Sequence, residues 1–140
     1  MRELKTEPVV WPVRVYFEDT DAGGVVYHAR YLNFFERART EMLRAMGISQ
    51  TELREKHGYI WVVLDISVKF RQAAKLDDEL LVTAQLQWVK GVRQGFLQEI
   101  TRQSDNAVVA TAELSAVMLH ADSLKPVRVP GWIKERLLNE

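Results

Sequence analysis

The apolar residues of this chain change their spacing once, near Tyr59, and that change restricts the folds open to it. Before it, apolar residues recur at helical spacing from Tyr31 to Met46, and Gly47 follows at a position typical of a helix end. From Ile60 to Phe70 they alternate with the residues between them, as in a long half-buried strand. The pattern therefore predicts one long helix followed by a sheet.

Three further strands are predicted after the first long one, over residues 80–90, 92–103 and 107–120. Turn residues separate them, so they are expected to form an antiparallel meander. Shorter elements are a strand at 14–18 beyond a proline-bounded arm, a helix capped by Ser49 and Glu52, and a C-terminal helix at 132–138. The expected architecture is α+β, one long helix against a five-stranded antiparallel sheet.

Length and composition are those of one globular domain over residues 1–140. The 19 basic and 19 acidic residues balance, which argues against a nucleic-acid partner. With no cysteine, disulfides, cysteine nucleophiles and thiolate zinc sites are excluded. The N-terminal residues show no signal-peptide pattern, and no apolar run is long enough for a transmembrane segment. A soluble, cytoplasmic protein is expected.

The strands indicate that the chain does not act alone. They are long for so small a domain and leave edges that a monomer has to protect. The last strand is apolar on one face and largely apolar on the other, which suggests a helix on one side and another subunit or layer on the other. A homodimer or homotetramer is therefore expected.

The absence of other known catalytic and ligand-binding motifs leaves one loop as the candidate site. The chain has no G-x-S-x-G, P-loop or G-x-G-x-x-G motif, and His28, His57 and His120 lack metal-ligand spacing. We therefore expect no metal and no organic cofactor. What remains is the stretch 18–28, with three acids, two glycines and a histidine directly before the long helix.

This stretch has the minimum equipment for hydrolysing an activated acyl group. Backbone N–H groups at residues 24–29, near the helix N-terminus, are placed to polarise a carbonyl. Asp21 is placed to act as base or nucleophile. The alternative is structural: the acids are turn and cap residues, and Gly23-Gly24 supply positive φ angles.

Residues 13–31, including Glu18-Asp19-Thr20-Asp21-Ala22-Gly23-Gly24, resemble the signature of hot-dog-fold acyl-CoA thioesterases, and residues 34–43 continue the match. The resemblance is to the 4-hydroxybenzoyl-CoA thioesterase branch, and especially to small bacterial thioesterases encoded with the Tol-Pal envelope system. It implies a long helix wrapped by a curved sheet, with subunits joined edge to edge in dimers that often pair into tetramers. It also implies acyl-CoA as the substrate.

The resemblance assigns roles residue by residue. Asp21 matches the catalytic carboxylate, and His28 matches the residue whose backbone N–H polarises the thioester carbonyl. Gly24, Val25 and Tyr27 are implied to lie beside the substrate. Some relatives carry a supporting tyrosine where this chain has Phe17, so that hydroxyl is missing here.

Two other functions remain open from the sequence. One is an envelope-associated scaffold with a vestigial site, which associates with the membrane surface without spanning it. The other is hydration of an enoyl thioester, which calls for a different acid–base arrangement on the helix. Contacts to the phosphates of CoA are a further hypothesis, for five basic residues at strand ends and a hairpin: Lys69, Arg71, Lys75, Lys90 and Arg93.

Overall fold

The computed structural model of the protein describes residues 2–3, through their backbone, and residues 7–138. The described strands are β1 (Arg2–Glu3), β2 (Val9–Arg14), β3 (Tyr59–Phe70), β4 (Glu79–Lys90), β5 (Arg93–Arg102) and β6 (Val108–His120). The helices are α1 (Arg30–Ala45), α2 (Gln50–Glu52) and α3 (Gly131–Leu138). A 3-10 turn covers Phe17–Asp19, and a π-helical turn covers Leu53–His57.

The sheet has five positions across its width. Strands β4, β5 and β6 form the predicted antiparallel meander, and β3 pairs with β6 at one edge. At the other edge β4 receives two short strands in succession: β2 along residues 79–84 and β1 at residues 88–89. The described chain therefore covers one edge of the sheet with its own N-terminal residues and leaves β3 as the other edge.

Helix α1 packs its apolar stripe against one face of the sheet, as the helical spacing predicts. Phe34, Phe35 and Ala38 are fully buried, and they belong to the same core as alternate residues of β4 and β6. The helix ends where expected, because Gly47 takes a φ of +77°, which side chains other than glycine rarely adopt. The long helix and the strands β3 to β6 lie within two residues of their predicted bounds.

The strand predicted at residues 14–18 is wrong. The strand at this edge covers Val9–Arg14, and the chain then turns through the 3-10 segment at Phe17–Asp19. The turn forms because the carboxylate of Asp19 accepts the backbone N–H of Tyr16 at 2.9 Å, which bends an otherwise strand-like sequence. Pro12 is tolerated within β2 because an edge strand does not need every N–H.

Of the capping box predicted at Ser49 and Glu52, the Ser49 half is present, and no described hydrogen bond joins the Glu52 carboxylate to the N–H of Ser49. The Ser49 hydroxyl accepts the backbone N–H of Glu52 at 3.3 Å, at the start of α2. The Glu52 carboxylate binds Lys56 at 3.0 Å. The described helices include none that is long and apolar enough to cross a membrane.

Candidate active site

Asp19 fixes the loop that precedes α1, which we call the acidic loop (residues 15–29). Its side chain is buried, and it forms an ion pair with Arg30 at 3.1 Å besides accepting the N–H of Tyr16. Glu18 is exposed and lies 3.9 Å from the same arginine. Because both oxygens of Asp19 are engaged by the protein, this carboxylate has a structural role.

Asp21 lies two residues later in a different environment. Its side chain is exposed, and Oδ1 accepts the N–H of Gly23 at 2.8 Å. Oδ2 accepts no hydrogen bond from any residue that the structure describes. The backbone closes a tight turn, in which Asp21 donates to Val25 O at 2.9 Å and accepts from Gly24 N–H at 3.0 Å. Gly24 has a φ of +81°, so this turn needs the glycine. The loop therefore presents one free carboxylate oxygen to solvent.

The start of α1 lies two residues beyond His28, and its donors are only partly free. The N–H groups of Gly24, Val26 and Tyr27 donate within the fold, to Asp21, Ala74 and Asp19 respectively. Of residues 24–29, which were expected to lie where backbone donors can face a ligand, these three therefore use their N–H groups within the fold. Among the described hydrogen bonds, none uses the N–H of His28 or Ala29. These two groups lie at the positive end of the α1 dipole.

Residues 72–78, which we call the support segment, lie beneath the acidic loop. Ala74 O accepts the N–H of Val26 at 2.9 Å, and Val25 forms an isolated bridge with Lys75. Tyr31, in the first turn of α1, accepts the N–H of Ala74 at its hydroxyl, 3.1 Å away. Burial raises the pKa of Tyr31, so this hydroxyl stays protonated at neutral pH. Sequence reasoning missed the segment because its contacts are made through its backbone.

Exposed apolar side chains on the acidic loop, at the end of β3 and on the support segment form a group that we call the aromatic rim. It consists of Phe17, Tyr27, Phe70 and Leu76, all exposed. The ring of His28 lies 4.5 Å from that of Tyr27 and 6.4 Å from that of Phe70, between ring centres. Phe17 is 81% exposed, so a hydroxyl at its position would extend into solvent in the isolated chain. A carboxylate beside such a surface suits a ligand with an apolar part.

The basic residues proposed for CoA phosphates do not form one group. Lys69 and Arg71 line a cavity of about 600 Å³, together with Glu99 and Glu113. Lys75 belongs to the support segment. The remaining two, Lys90 and Arg93, lie at the far ends of β4 and β5, about 35 Å along the strands from the acidic loop. At most Lys69, Arg71 and Lys75 are placed near one end of the sheet.

The three histidines do not converge on one point. His57 and His120 both lie near the ring of Tyr59, at centroid distances of 6.4 Å and 5.6 Å, while His28 belongs to the acidic loop. Within residues 2–3 and 7–138, no three histidine or acidic side chains are arranged to hold a metal ion.

Comparison with known proteins places this geometry in context. Residues 15–137 match the family described as the thioesterase-like superfamily. The chain is 47% identical over 124 residues to the acyl-CoA thioesterase YbgC of Haemophilus influenzae, covering 89% of this chain and 90% of that protein. It is 42% identical over 123 residues to the acyl-CoA thioester hydrolase YbgC of Escherichia coli, covering 88% and 90%. A 1,4-dihydroxy-2-naphthoyl-CoA thioesterase from Synechocystis shares the fold, with a TM-score of 0.86 at 21% identity over 94% of this chain and 96% of that one.

Proposed function

We propose that Asp21 is the reacting carboxylate of this protein. The chain belongs to the thioesterase-like superfamily, has its hot-dog fold and hydrolyses acyl-CoA thioesters. The contrast within the acidic loop is the observation that carries this proposal. Asp19 is buried and fully engaged, whereas Asp21 has a free oxygen in solvent. A base or nucleophile needs such a free, ionised oxygen.

Two routes fit the position of Asp21. As a general base, Oδ2 takes a proton from water while the water oxygen attacks the thioester carbon, and the CoA thiol leaves after the tetrahedral intermediate collapses. As a nucleophile, Oδ2 attacks the same carbon and CoA leaves as the thiolate, and water then cleaves the resulting anhydride, restores the Asp21 carboxylate and releases the proton that the thiolate takes up. Both routes convert one thioester and one water into a free acid and CoA.

The start of α1 supplies the second part of the proposed site. We assign the N–H groups of His28 and Ala29 to the thioester carbonyl oxygen, which gains negative charge as the carbon is attacked. Removing one such donor typically costs about 10²–10³ in kcat. Gly24, Val25 and Tyr27 border the same space and are assigned to substrate binding. The chemistry assigned to these residues requires no cofactor.

We infer further that a second copy of the chain completes the site. Phe70 ends the uncovered strand β3 and lies beside His28, so the open edge of the sheet runs directly to the acidic loop. Val62, Val63 and Leu64 are exposed along the same strand. Pairing of two β3 strands would cover these side chains and enclose the aromatic rim. A homodimer, or a homotetramer formed from two such dimers, is the proposed assembly.

The finer placement within the family rests on the resemblance of residues 13–31. We propose the 4-hydroxybenzoyl-CoA thioesterase branch, and within it the group encoded with the Tol-Pal system. A cytoplasmic enzyme that meets the membrane only at its surface fits that placement.

Asp21→Asn tests the role of Asp21 against Asp19→Asn in the same loop. The asparagine keeps the size of the side chain but removes its basicity, so kcat is expected to fall at least about 10²–10⁴-fold. KM is expected to change little, because CoA binding does not depend on this oxygen. Asp19→Asn weakens a buried ion pair, so its main effect is a loss of folding stability. Steady-state kinetics with a graded acyl-CoA panel and thermal melts separate the two.

The opposite pattern would reassign the reaction. If Asp21→Asn keeps near-native kcat while folded Asp19→Asn loses it, the reacting acid is Asp19. If both folded variants keep native kcat, the acidic loop is structural and the reacting group lies elsewhere.

A further inference from the structure

We propose that Arg102, at the end of β5, is a positioning residue for this hydrolysis. Its guanidinium holds the support segment, and the support segment holds the acidic loop that bears Asp21. The proposal rests on the function proposed above, but no described hydrogen bond or ion pair joins Arg102 to Asp21 or to the N–H groups of His28 and Ala29. Its action is therefore through geometry.

The guanidinium group of Arg102 donates hydrogen bonds to three other residues. Nε and Nη2 donate to the two carboxylate oxygens of Asp105, each at 3.0 Å. Nη1 donates to Ala73 O at 2.9 Å, and Nη2 donates to Gln72 Oε1 at 2.9 Å. The side chain is only 16% exposed, and the Asp78 carboxylate lies 3.9 Å away. Asp105 thus holds the guanidinium group of Arg102 in place, and this group in turn holds the first residues of the support segment.

The support segment in turn holds both ends of the acidic loop. At the first end, Val15 donates to Asp78 O at 2.9 Å and accepts from Asp77 N–H at 3.0 Å. At the second end, Val26 donates to Ala74 O at 2.9 Å. The turn that presents Asp21 lies between these attachments. A shift of the support segment therefore moves the turn as a unit.

Helix α1 is tied to the same segment by an independent contact. The hydroxyl of Tyr31 accepts the N–H of Ala74, whose carbonyl accepts Val26 N–H. One residue of the support segment thus links the acidic loop to the helix whose first N–H groups face the substrate. Besides the loop's own hydrogen bonds, Ala74 therefore helps to hold Asp21 in place relative to those groups. In catalysis, a misplacement of about 1 Å from a remote mutation can cost about 10²-fold in rate.

Lysine cannot replace this arginine. The contacts to Asp105, Ala73 and Gln72 use three nitrogens of one planar fork, whereas an ammonium group is a single donor centre. Arg136 offers a matched control at the other end of α1. Its Nη1 donates to the carbonyl of Gly47 at 2.7 Å, and its guanidinium packs over the ring of Trp132. Loss of Arg136 removes a comparable backbone contact without touching the acidic loop.

The test compares Arg102→Gln, Arg102→Lys and Arg136→Gln in the full chain. Each is assayed with straight-chain acyl-CoAs from acetyl to palmitoyl and with benzoyl-CoA, using the substrate that the native enzyme hydrolyses fastest. Assays are run well below the lowest melting temperature, with folding verified by circular dichroism. Both Arg102 variants are expected to lose roughly 10–100-fold in kcat, with KM within about twofold. Arg136→Gln is expected to keep kcat within about twofold.

Two results would overturn the proposal. Near-native kcat in folded Arg102→Gln would show that Arg102 acts on stability alone. A raised KM with unchanged kcat would show that it acts on binding. If the Arg102 variants do not fold, Asp105→Asn and Tyr31→Phe test the same support from its two sides, and native kcat in both would equally overturn the proposal.

The Asp21→Asn variant, assayed in parallel, keeps the two proposals separable. Native kcat there removes the proposed base. It leaves the Arg102 comparison intact, because that comparison measures the geometry of the loop whichever of its groups reacts.

Discussion

The two edges of the sheet are finished in opposite ways. On one side β1 and β2 pair with β4 and cover most of its length. On the other side no described strand pairs with the outer edge of β3. Three successive side chains there, Val62, Val63 and Leu64, are 36%, 40% and 46% exposed. Strands β4 and β3 each have 12 residues, but only β4 has its outer edge paired by described strands.

The two outer strands also differ in the residues that they expose. The covered edge ends in an outer strand that contains Pro12, a residue that blocks further pairing. The open edge carries apolar side chains and no proline, and it runs toward the candidate active site. Edges of this kind are hazards unless they have a partner. The contrast therefore supports β3 as the surface at which two copies meet.

The largest expected effect comes from a charge on the open edge. Val63→Asp places a carboxylate where pairing would bury it, at a cost of about 3–5 kcal/mol per unpaired charge. The monomer should still fold, since Val63 is 40% exposed in the single chain. We expect dissociation to monomers in analytical ultracentrifugation and a parallel loss of kcat.

Val10→Asp on β2 is the control for this experiment. Val10 is 50% exposed on the covered side, and the same charge there should leave assembly and kcat unchanged. An intact assembly in Val63→Asp would contradict the assignment of the open edge.

A second prediction concerns Gly95 in β5, the strand that pairs with β4 on the side away from the covered edge. A Cβ on Gly95 would overlap the ring of Trp88, which lies in β4 beside β1. Gly95→Ala is expected to lower the free energy of unfolding by about 1–3 kcal/mol, because the ring has to move. Urea unfolding measures this. Gly131→Ala, with no neighbour within 4 Å of the added carbon, should change little. An unchanged midpoint for Gly95→Ala would mean that Trp88 has room to rotate.

Pro12→Ala probes the covered edge itself. A proline that fits its strand stabilises by restricting the unfolded chain, so its loss is expected to cost about 0.4–1 kcal/mol. Thermal unfolding measures the change, and kcat should be native. A larger loss, or a change in oligomeric state, would show that Pro12 also protects this edge against pairing.

The smallest expected effect on folding stability is at Asp105, the hydrogen-bond partner of Arg102. The hydrogen bond from Arg102 lowers the pKa of Asp105, so ionised Asp105 stabilises the fold above its unfolded pKa. That contribution is lost as the pH falls below about 4 and through the lowered folded pKa. Unfolding free energies of Asp105→Asn should therefore depend less on pH in this range. An identical acid profile would show that the pair adds no stability.

The sequence predicted the elements whose patterns come from burial. Alternation locates β4 because every second residue over most of its length packs into the core, and the stripe on α1 has the same cause. In β3 the side chains that pack on the core change from odd to even positions at the register shift between Val63 and Asp65, so its predicted apolar face is only partly covered in the single chain. Strand β2 was misplaced because its apolar residues do not alternate and because Asp19 turns the chain after it. The support segment was missed because its bonds to the acidic loop run through backbone groups, which leave no trace in side-chain patterns.

For the site, the sequence pointed to one loop but could not rank its acids by physics alone. Asp19 and Asp21 are the same residue type, two positions apart. Only the tertiary partners of Asp19, Tyr16 N–H and Arg30, distinguish them. Which N–H groups remain free was likewise settled by residues distant in sequence, such as Ala74.

The support segment has a consequence for the order in which the chain acquires activity. The acidic loop at residues 15–29 rests on residues 72–78, which are held by Arg102, so its attachments span most of the sequence. Contacts this distant close late in folding, because the intervening chain has to lose its freedom first. The acidic loop of a nascent chain therefore cannot reach its final arrangement until Arg102 has emerged from the ribosomal exit tunnel. The open strand β3, whose last residue Phe70 lies beside His28, has to wait longer, because its partner β6 is Val108–His120.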